Sequence, residues 1–107
     1  MRKHRYRNEQ IRRSCAEVYY CTRHFRIVYR LFKKRMPHYP YRVGDIYSLV
    51  ITKTDLDSGV SEREYIYDFS RNEAEAHRIF CLVRDGLVTP DSAAEAVSDL
   101  ISIPFDS

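Results

Sequence analysis

Apolar residues recur every three or four positions after residue 70, which is the spacing of one face of an α-helix. The first such stripe consists of Ala76, Ile79, Phe80, Val83 and Leu87. Ser70 and Glu73 have the spacing of a capping box, and Gly86 stands where a left-handed C′ residue ends a helix. The pattern predicts a helix over about 71–85.

A second amphipathic stretch follows directly. Thr89 is an N-cap residue type, Pro90 suits the first helical position, and Asp91 faces the positive end of the helix dipole. Its apolar face consists of Ala93, Ala96, Val97, Leu100 and Ile101. Pro104 ends the pattern, so we predict a second helix over about 90–102.

The periodicity changes from 3.6 to 2 upstream of these helices. Residues 46–53 and 64–69 are rich in β-branched and aromatic types, which favours strands, and we predict these strands over 43–54 and 60–69. Asp55–Gly59 is a cluster of turn-forming residues, so the two strands are predicted to form a β-hairpin. In its second strand one face carries Tyr65, Tyr67 and Phe69, which we expect to pack, and the other carries Glu62, Glu64, Ile66 and Asp68.

Residues 24–34 admit two interpretations. Read as a strand, the segment alternates Phe25, Ile27, Tyr29 and Leu31 with Arg26, Val28, Arg30 and Phe32. Read as part of a helix from about residue 8, it shares a stripe of Ile11, Cys15, Val18, Phe25, Tyr29 and Phe32. Stiff side chains disfavour the helix, so we predict a strand over 25–33. Residues 8–18 are predicted to be a helix or an arm, and 36–41 an extended, proline-containing connector.

These elements define an α+β fold. We predict a three-stranded antiparallel meander (25–33, 43–54 and 60–69) covered on one face by two C-terminal helices, with a basic N-terminal extension. Residues 1–23 would be the basic arm or helix, dispensable for folding, and 24–107 one small α+β domain. The predicted core consists of Tyr29, Leu31, Leu49, Ile51, Tyr65, Tyr67, Phe69, Ala76, Ile79, Phe80, Val83, Leu87, Ala93, Val97 and Leu100.

The residues that lead into the two predicted helices resemble those of a known protein family. The matching residues are Asp68, Phe69, Ser70, Val88, Thr89, Pro90, Asp99, Leu100 and Ile101. Over roughly residues 27–102 the chain resembles a group of short clostridial (Firmicutes) proteins known as a domain of unknown function. Their motifs are helix caps and core positions, so the resemblance implies a fold and carries no activity. A histidine expected after the Pro90 turn is Ser92 here.

Composition places the chain among ordinary globular proteins, because 44% of its 107 residues are apolar and 31% are charged. No uncharged stretch approaches the roughly 18–20 residues that cross a bilayer. The basic start has no apolar segment behind it and does not resemble a secretory signal. We therefore expect a cytoplasmic protein.

The net charge of +3 conceals a strong asymmetry. Residues 1–42 carry thirteen Lys or Arg and two Glu, a balance of +11, whereas residues 43–107 carry five Lys or Arg and thirteen acids, a balance of −8. Such asymmetry indicates a basic segment that seeks phosphates, an acidic partner, or the acidic half of the same or another copy.

Chemical motifs are weak. Cys21-x-x-His24 is a lone pair where structural zinc needs four ligands, and Cys81 has no activating base nearby in sequence. Asp55-x-Asp57-x-Gly59 fits a turn better than a calcium loop, and His77 fits the edge of a helix stripe. No common catalytic string occurs. We expect a non-enzymatic protein with no cofactor and no metal.

Two functional hypotheses follow. In the first, the protein is an interaction or regulatory module, and an uncovered sheet face or edge strand docks a protein partner or a second copy. In the second, basic and aromatic residues interleaved in the N-terminal half bind single-stranded nucleic acid. The candidate contacts for a nucleic acid or an acidic partner are Arg12, Arg13, Arg23, Arg26, Arg30, Lys33, Lys34 and Arg35.

Overall fold

A four-stranded antiparallel sheet and two helices form the α+β fold of the computed structural model, which describes residues 12–36 and 44–102. The strands are β1 (Arg12–Cys21), β2 (Phe25–Met36), β3 (Gly44–Asp55) and β4 (Ser61–Ser70), and they neighbour one another in chain order. The helices are α1 (Glu73–Asp85) and α2 (Pro90–Ser102). The expected strand–hairpin–helix–helix order is confirmed.

The prediction of three strands is wrong, because residues 12–21, expected within an arm or helix, form the edge strand β1. It pairs with β2 along its length, with an irregularity between Ser14 and Ala16. Ala16 and Val18 share the side that packs against the core, a two-residue alternation that the helical stripe through Cys15 and Val18 concealed. The rest of the predicted arm and the connector over 37–41 lie outside the described residues.

The turns that join the strands are stabilised by short polar side chains. Between β1 and β2, the Thr22 hydroxyl accepts the backbone N–H groups of His24 and Phe25, both at 3.1 Å. Between β3 and β4, the Asp55 carboxylate accepts the N–H groups of residues 57 and 58, and Gly59 has a φ of +81°. The turn predicted at Asp55–Gly59 is confirmed, since the aspartate caps its own loop.

The core lies between one face of the sheet and the two helices. α1 packs against β2, β3 and β4, and α2 packs against β3 and β4. The buried cluster consists of Ile27, Tyr29, Leu31, Tyr47, Leu49, Ile51, Ala76, Ile79, Phe80, Val83, Ala93 and Val97. Most of the predicted core is therefore confirmed, and Phe69 and Leu100 pack against it as partly buried residues.

Three predicted core residues are exposed. Tyr65 and Tyr67 lie on the sheet face away from the helices, where Tyr65 is opposite Val50 in the strand register, and Ile66 packs inward instead. The β3–β4 pairing is irregular near Asp68, which has a φ of +51°. This irregularity shifts the two-residue alternation by one position, so that Phe69 packs inward although Tyr65 and Tyr67 face outward. Leu87 is 41% exposed.

Leu87 occupies the left-handed position that ends α1, with φ +52°, so the prediction of Gly86 at this position is wrong. The Val88 N–H donates to Val83 O at 3.2 Å and the Leu87 N–H to Arg84 O at 3.1 Å. These two bonds form a Schellman motif one residue later than predicted. Gly86 itself has helical dihedrals.

The start of α1 also differs from the predicted capping box. Asn72 is the N-cap, and its side chain accepts the Glu75 N–H at 2.8 Å. The Ser70 hydroxyl instead donates to the Glu75 carboxylate at 2.6 Å and accepts the Asn72 N–H at 3.1 Å. The helix therefore begins at Glu73, two residues after the predicted start.

Tyr29 joins the sheet to the connection between the helices. Its ring is fully buried in β2, and its hydroxyl donates to the carbonyl of Val88 at 3.0 Å. Removal from water disfavours the phenolate, so burial raises the pKa of Tyr29 to about 12. The helices of the described residues are all too short or too polar to cross a membrane.

Candidate functional site

The described elements place both helices on one face of the sheet and leave the opposite face without a covering layer. Residues paired across the strands share a face, so the register defines this surface. We call it the open face; among the residues whose side chains the structure describes, it comprises Glu17, Tyr19, Cys21, Arg26, Val28, Arg30, Phe32, Lys34, Ile46, Ser48, Val50, Thr52, Thr54, Ser61, Arg63, Tyr65 and Tyr67.

Four of the described cationic side chains lie on the open face. Arg26, Arg30 and Lys34 follow one another at two-residue intervals along β2, and Arg63 lies across β3 from them on β4. Arg30 Nη2 is 3.3 Å from the carboxylate of Glu17, and both side chains are more than 40% exposed. A pair so exposed to water contributes at most about 1 kcal/mol, so a stronger anion can displace the glutamate.

Exposed tyrosines flank these cations on both edge strands. Tyr19 on β1 is 65% exposed, and on β4 Tyr65 is 43% and Tyr67 is 58% exposed. Large aromatic rings this exposed on a regular sheet provide flat apolar surface without serving the core. Between them the central β3 residues Ser48 and Val50 are buried, which leaves the accessible rings at the two sides of the face.

Arg63, Tyr65 and Tyr67 form a connected group on β4. The two tyrosine rings stack with centroids 5.5 Å apart and an angle of 6° between their planes. Arg63 Nη1 donates to the Tyr65 hydroxyl at 3.3 Å, and Arg63 Nε donates to the hydroxyl of Thr52 at 3.2 Å. These contacts favour one arrangement of the guanidinium and the rings on the surface.

Asp68 contacts two residues of the open face, Ser48 and Lys34. The hydroxyl of Ser48 accepts the Asp68 N–H at 2.8 Å and donates to its carboxylate at 3.3 Å. The other carboxylate oxygen lies 3.9 Å from Lys34 Nζ. Asp68 therefore places a negative charge beside one of the four cations.

The structure brings together only some of the predicted contact residues. Arg26, Arg30 and Lys34 share the open face, whereas Lys33 and Arg35 alternate onto the opposite side of β2. The exposed Arg23 lies in the turn between β1 and β2, and the backbones of Arg12 and Arg13 pair with β2 opposite residues 34 and 33.

Sequence reasoning missed Arg63, Tyr65 and Tyr67 as site residues. Tyr65 and Tyr67 were assigned to the core because aromatic residues favour packed sheet faces. The two-residue alternation places Arg63 on the same strand face as the two tyrosines. An arginine seldom lies within a core, so its position already indicated that this face is exposed. The isolated apolar residue on the other parity, Ile66, was the one that packs inward.

Charge is unevenly distributed between the elements. The β1–β2 hairpin, residues 12–36, carries eight Lys or Arg and one Glu. The helices α1 and α2 carry six acidic residues and two arginines. Of the hairpin cations, Arg26, Arg30 and Lys34 lie on the open face, on the opposite side of the sheet from the acidic helix layer, which favours an anionic ligand there.

Other chemistry is sparse in the described part of the chain. No group of three potential metal ligands comes together in residues 12–36 and 44–102. His24 Nδ1 lies 3.2 Å from the Asp57 carboxylate, which joins two exposed turns. Cys15 donates weakly to Leu31 O at 3.5 Å, and partial burial raises the pKa of its thiol, which makes it a poor nucleophile.

Comparison with known proteins adds no relative to this description. No protein-family model matches the chain, and no curated protein and no solved structure is significantly similar to it. The resemblance to the clostridial proteins stays a prediction, and the proposed function depends on the site alone.

Proposed function

We propose that this protein is a non-enzymatic binding module that holds a single-stranded nucleic acid on its open face. The observation that carries the proposal is the combination of four cations with three exposed tyrosines on one uncovered antiparallel sheet. Cations neutralise phosphates and aromatic rings stack on unpaired bases, and the two together are the usual chemistry of a single-strand surface.

The geometry favours a single strand over a duplex. Unpaired bases expose the ring faces that stack on tyrosines such as Tyr19 and Tyr65, whereas in a duplex those faces are stacked on one another. The edge strands β1 and β4 are three strand spacings apart, about 14 Å. That width lets a few nucleotides cross the open face from one group of rings to the other.

The salt dependence of binding tests the proposal. Fluorescence anisotropy of a fluorescein-labelled 20-nucleotide oligo(dT), titrated with the full chain, measures the affinity. Four phosphate contacts predict a slope of about −2.8 in log affinity against log salt, or about a 50-fold loss of affinity between about 50 and 200 mM salt. Absent or salt-independent binding would overturn the proposal.

Pairing with a second copy of the chain is the second candidate function, and the exposed edge of β1 favours it. β1 has a strand on one side only within the described residues, and its exposed residues include Tyr19, Tyr20 and Cys21. A second copy could pair along this edge and extend the sheet. Light scattering over a range of concentrations tests this candidate, which a strictly monomeric mass would contradict.

A further inference from the structure

We infer that Arg63 and the stacked pair Tyr65–Tyr67 form a one-nucleotide subsite, in which the tyrosines stack on the base and Arg63 binds its phosphate. The inference rests on the proposed function and assigns a task to particular residues of the open face. These residues would recognise a base, and not a phosphate alone, at one position on β4.

The rings are prepared for stacking by their neighbours. Tyr65 and Tyr67 are parallel within 6°, and the Tyr65 hydroxyl is tied to Arg63 at 3.3 Å. A ring whose rotamer is already fixed loses less conformational entropy when a base stacks on it. At 43% and 58% exposure, both rings keep accessible surface despite the stack.

The guanidinium is also held in place while donors remain available. Arg63 uses Nε for Thr52 and Nη1 for Tyr65, two of its five N–H donors. A guanidinium binds a phosphate through two parallel N–H bonds, so the outer edge of the group suffices. Because Arg63 is bonded to the ring that stacks, it lies close enough to bind the phosphate of the nucleotide whose base stacks on Tyr65.

The arrangement on β1 and β2 lacks this coupling. The side chain of Arg30 pairs with Glu17, an acid that competes with phosphate. Tyr19 lies opposite Val28 in the register, and no arginine among the described residues is hydrogen-bonded to it. We therefore assign the base-recognising subsite to β4 and a general electrostatic role to the cations of β2.

Two probes separate stacking from charge: labelled oligo(dT) of 12 nucleotides, and an abasic strand of the same length that keeps only the sugar–phosphate backbone. Tyr65→Leu should weaken oligo(dT) binding about 5- to 100-fold, the range for one lost base stack, and change abasic-strand binding less than about twofold. Tyr20→Leu is the control, since Tyr20 is equally exposed but lies on the other side of β1.

Arg63→Gln should weaken both probes, and Arg63→Lys should restore only part of the loss because lysine lacks the planar fork. Equal losses on both probes from Tyr65→Leu, or no loss on oligo(dT), would overturn the subsite while leaving the proposed function standing. Failure of the unsubstituted chain to bind either probe would overturn the proposed function itself. Circular dichroism of each variant verifies that the sheet is retained.

Discussion

Ser48 and Asp68 hold each other by two hydrogen bonds in opposite directions: the serine hydroxyl accepts the Asp68 N–H at 2.8 Å and donates to the Asp68 carboxylate at 3.3 Å. Asp68 has a φ of +51°, a conformation that costs most residues energy. The buried hydroxyl on β3 thus compensates for the irregularity in β4. That irregularity lets Tyr65 and Tyr67 face outward while Phe69 still packs inward.

Replacing Ser48 with alanine should therefore destabilise the fold. The change leaves the partly buried Asp68 N–H without its partner, so we expect the free energy of unfolding to fall by about 1 kcal/mol. Thr54→Ala is the matched control on the same strand and face, because its hydroxyl bonds only the exposed Ser61 hydroxyl. Urea denaturation followed by circular dichroism compares the two; equal effects would contradict this account.

Leu87→Gly should stabilise the protein. Leu87 is 41% exposed and has a φ of +52°, where glycine avoids the steric cost of a β-carbon. We expect a gain of up to about 1 kcal/mol. Leu82→Gly, at a similarly exposed position inside α1, should instead cost about 1 kcal/mol. Thermal unfolding distinguishes them, and a destabilised Leu87→Gly protein would refute the role given to this residue.

Alkaline pH should weaken the fold through Tyr29. Its pKa is raised from 10 to about 12 by burial, so between these values the unfolded chain releases a proton that the folded protein retains. Stability is then full below pH 10 and is lost as the pH rises towards 12, by about 2 to 3 kcal/mol.

Tyr29→Phe isolates this contribution from the other tyrosines. It should cost about 1 kcal/mol near pH 8, because the Val88 carbonyl loses its donor, yet show a smaller alkaline loss than the unsubstituted protein. Denaturation midpoints of both proteins from pH 8 to 11.5 provide the comparison. Parallel curves over that range would show that the Tyr29 pKa is not raised.

Deleting residues 1–23 should lower stability, contrary to what the sequence suggested. β1 pairs with β2 along its length, and Ala16 and Val18 pack against the core. Full burial of a valine-sized side chain contributes about 1.5 kcal/mol or more, and Val18 and Ala16 are both partly buried, so we expect the free energy of unfolding to fall by about 2 kcal/mol. An unchanged denaturation midpoint would mean that β1 lies outside the cooperative unit.

Residue patterns predicted the helices and three strands because those segments combine strong periodicity with caps and turns. β1 was not predicted, because its positions 15 and 18 also fit the apolar stripe of a helix. Only the pairing with β2 shows that the segment is a strand with a period of 2 rather than a helix with a period of 3.6. Tyr65 was misassigned for a related reason: in a sheet with one covered face, the face that packs is decided by the tertiary contacts of Ile66. The sequence identified the basic residues of β2 as candidate contacts. The strand register was needed to show that these residues lie on two different faces of the sheet.

Acids on the open face should oppose binding. Glu17→Gln removes the competitor of Arg30 without removing a core contact, so it should raise oligo(dT) affinity about two- to fivefold at low salt. The matched control is Glu95→Gln on the exposed surface of α2, which should change affinity little. Anisotropy titrations measure the oligo(dT) affinity of both variants. A lower affinity of the Glu17→Gln protein than of the unsubstituted chain would contradict a phosphate contact at Arg30.

The most direct test of the open face as the nucleic-acid site is to remove the same charge from the two sides of one strand. Arg26→Gln with Arg30→Gln changes the open face, and Lys33→Gln with Arg35→Gln changes the opposite side of β2 by the same two charges. In anisotropy titrations with labelled oligo(dT) at about 50 mM salt, the first double variant should lose about tenfold or more in affinity and the second less than about threefold. Equal losses from the two variants would contradict a binding site on the open face.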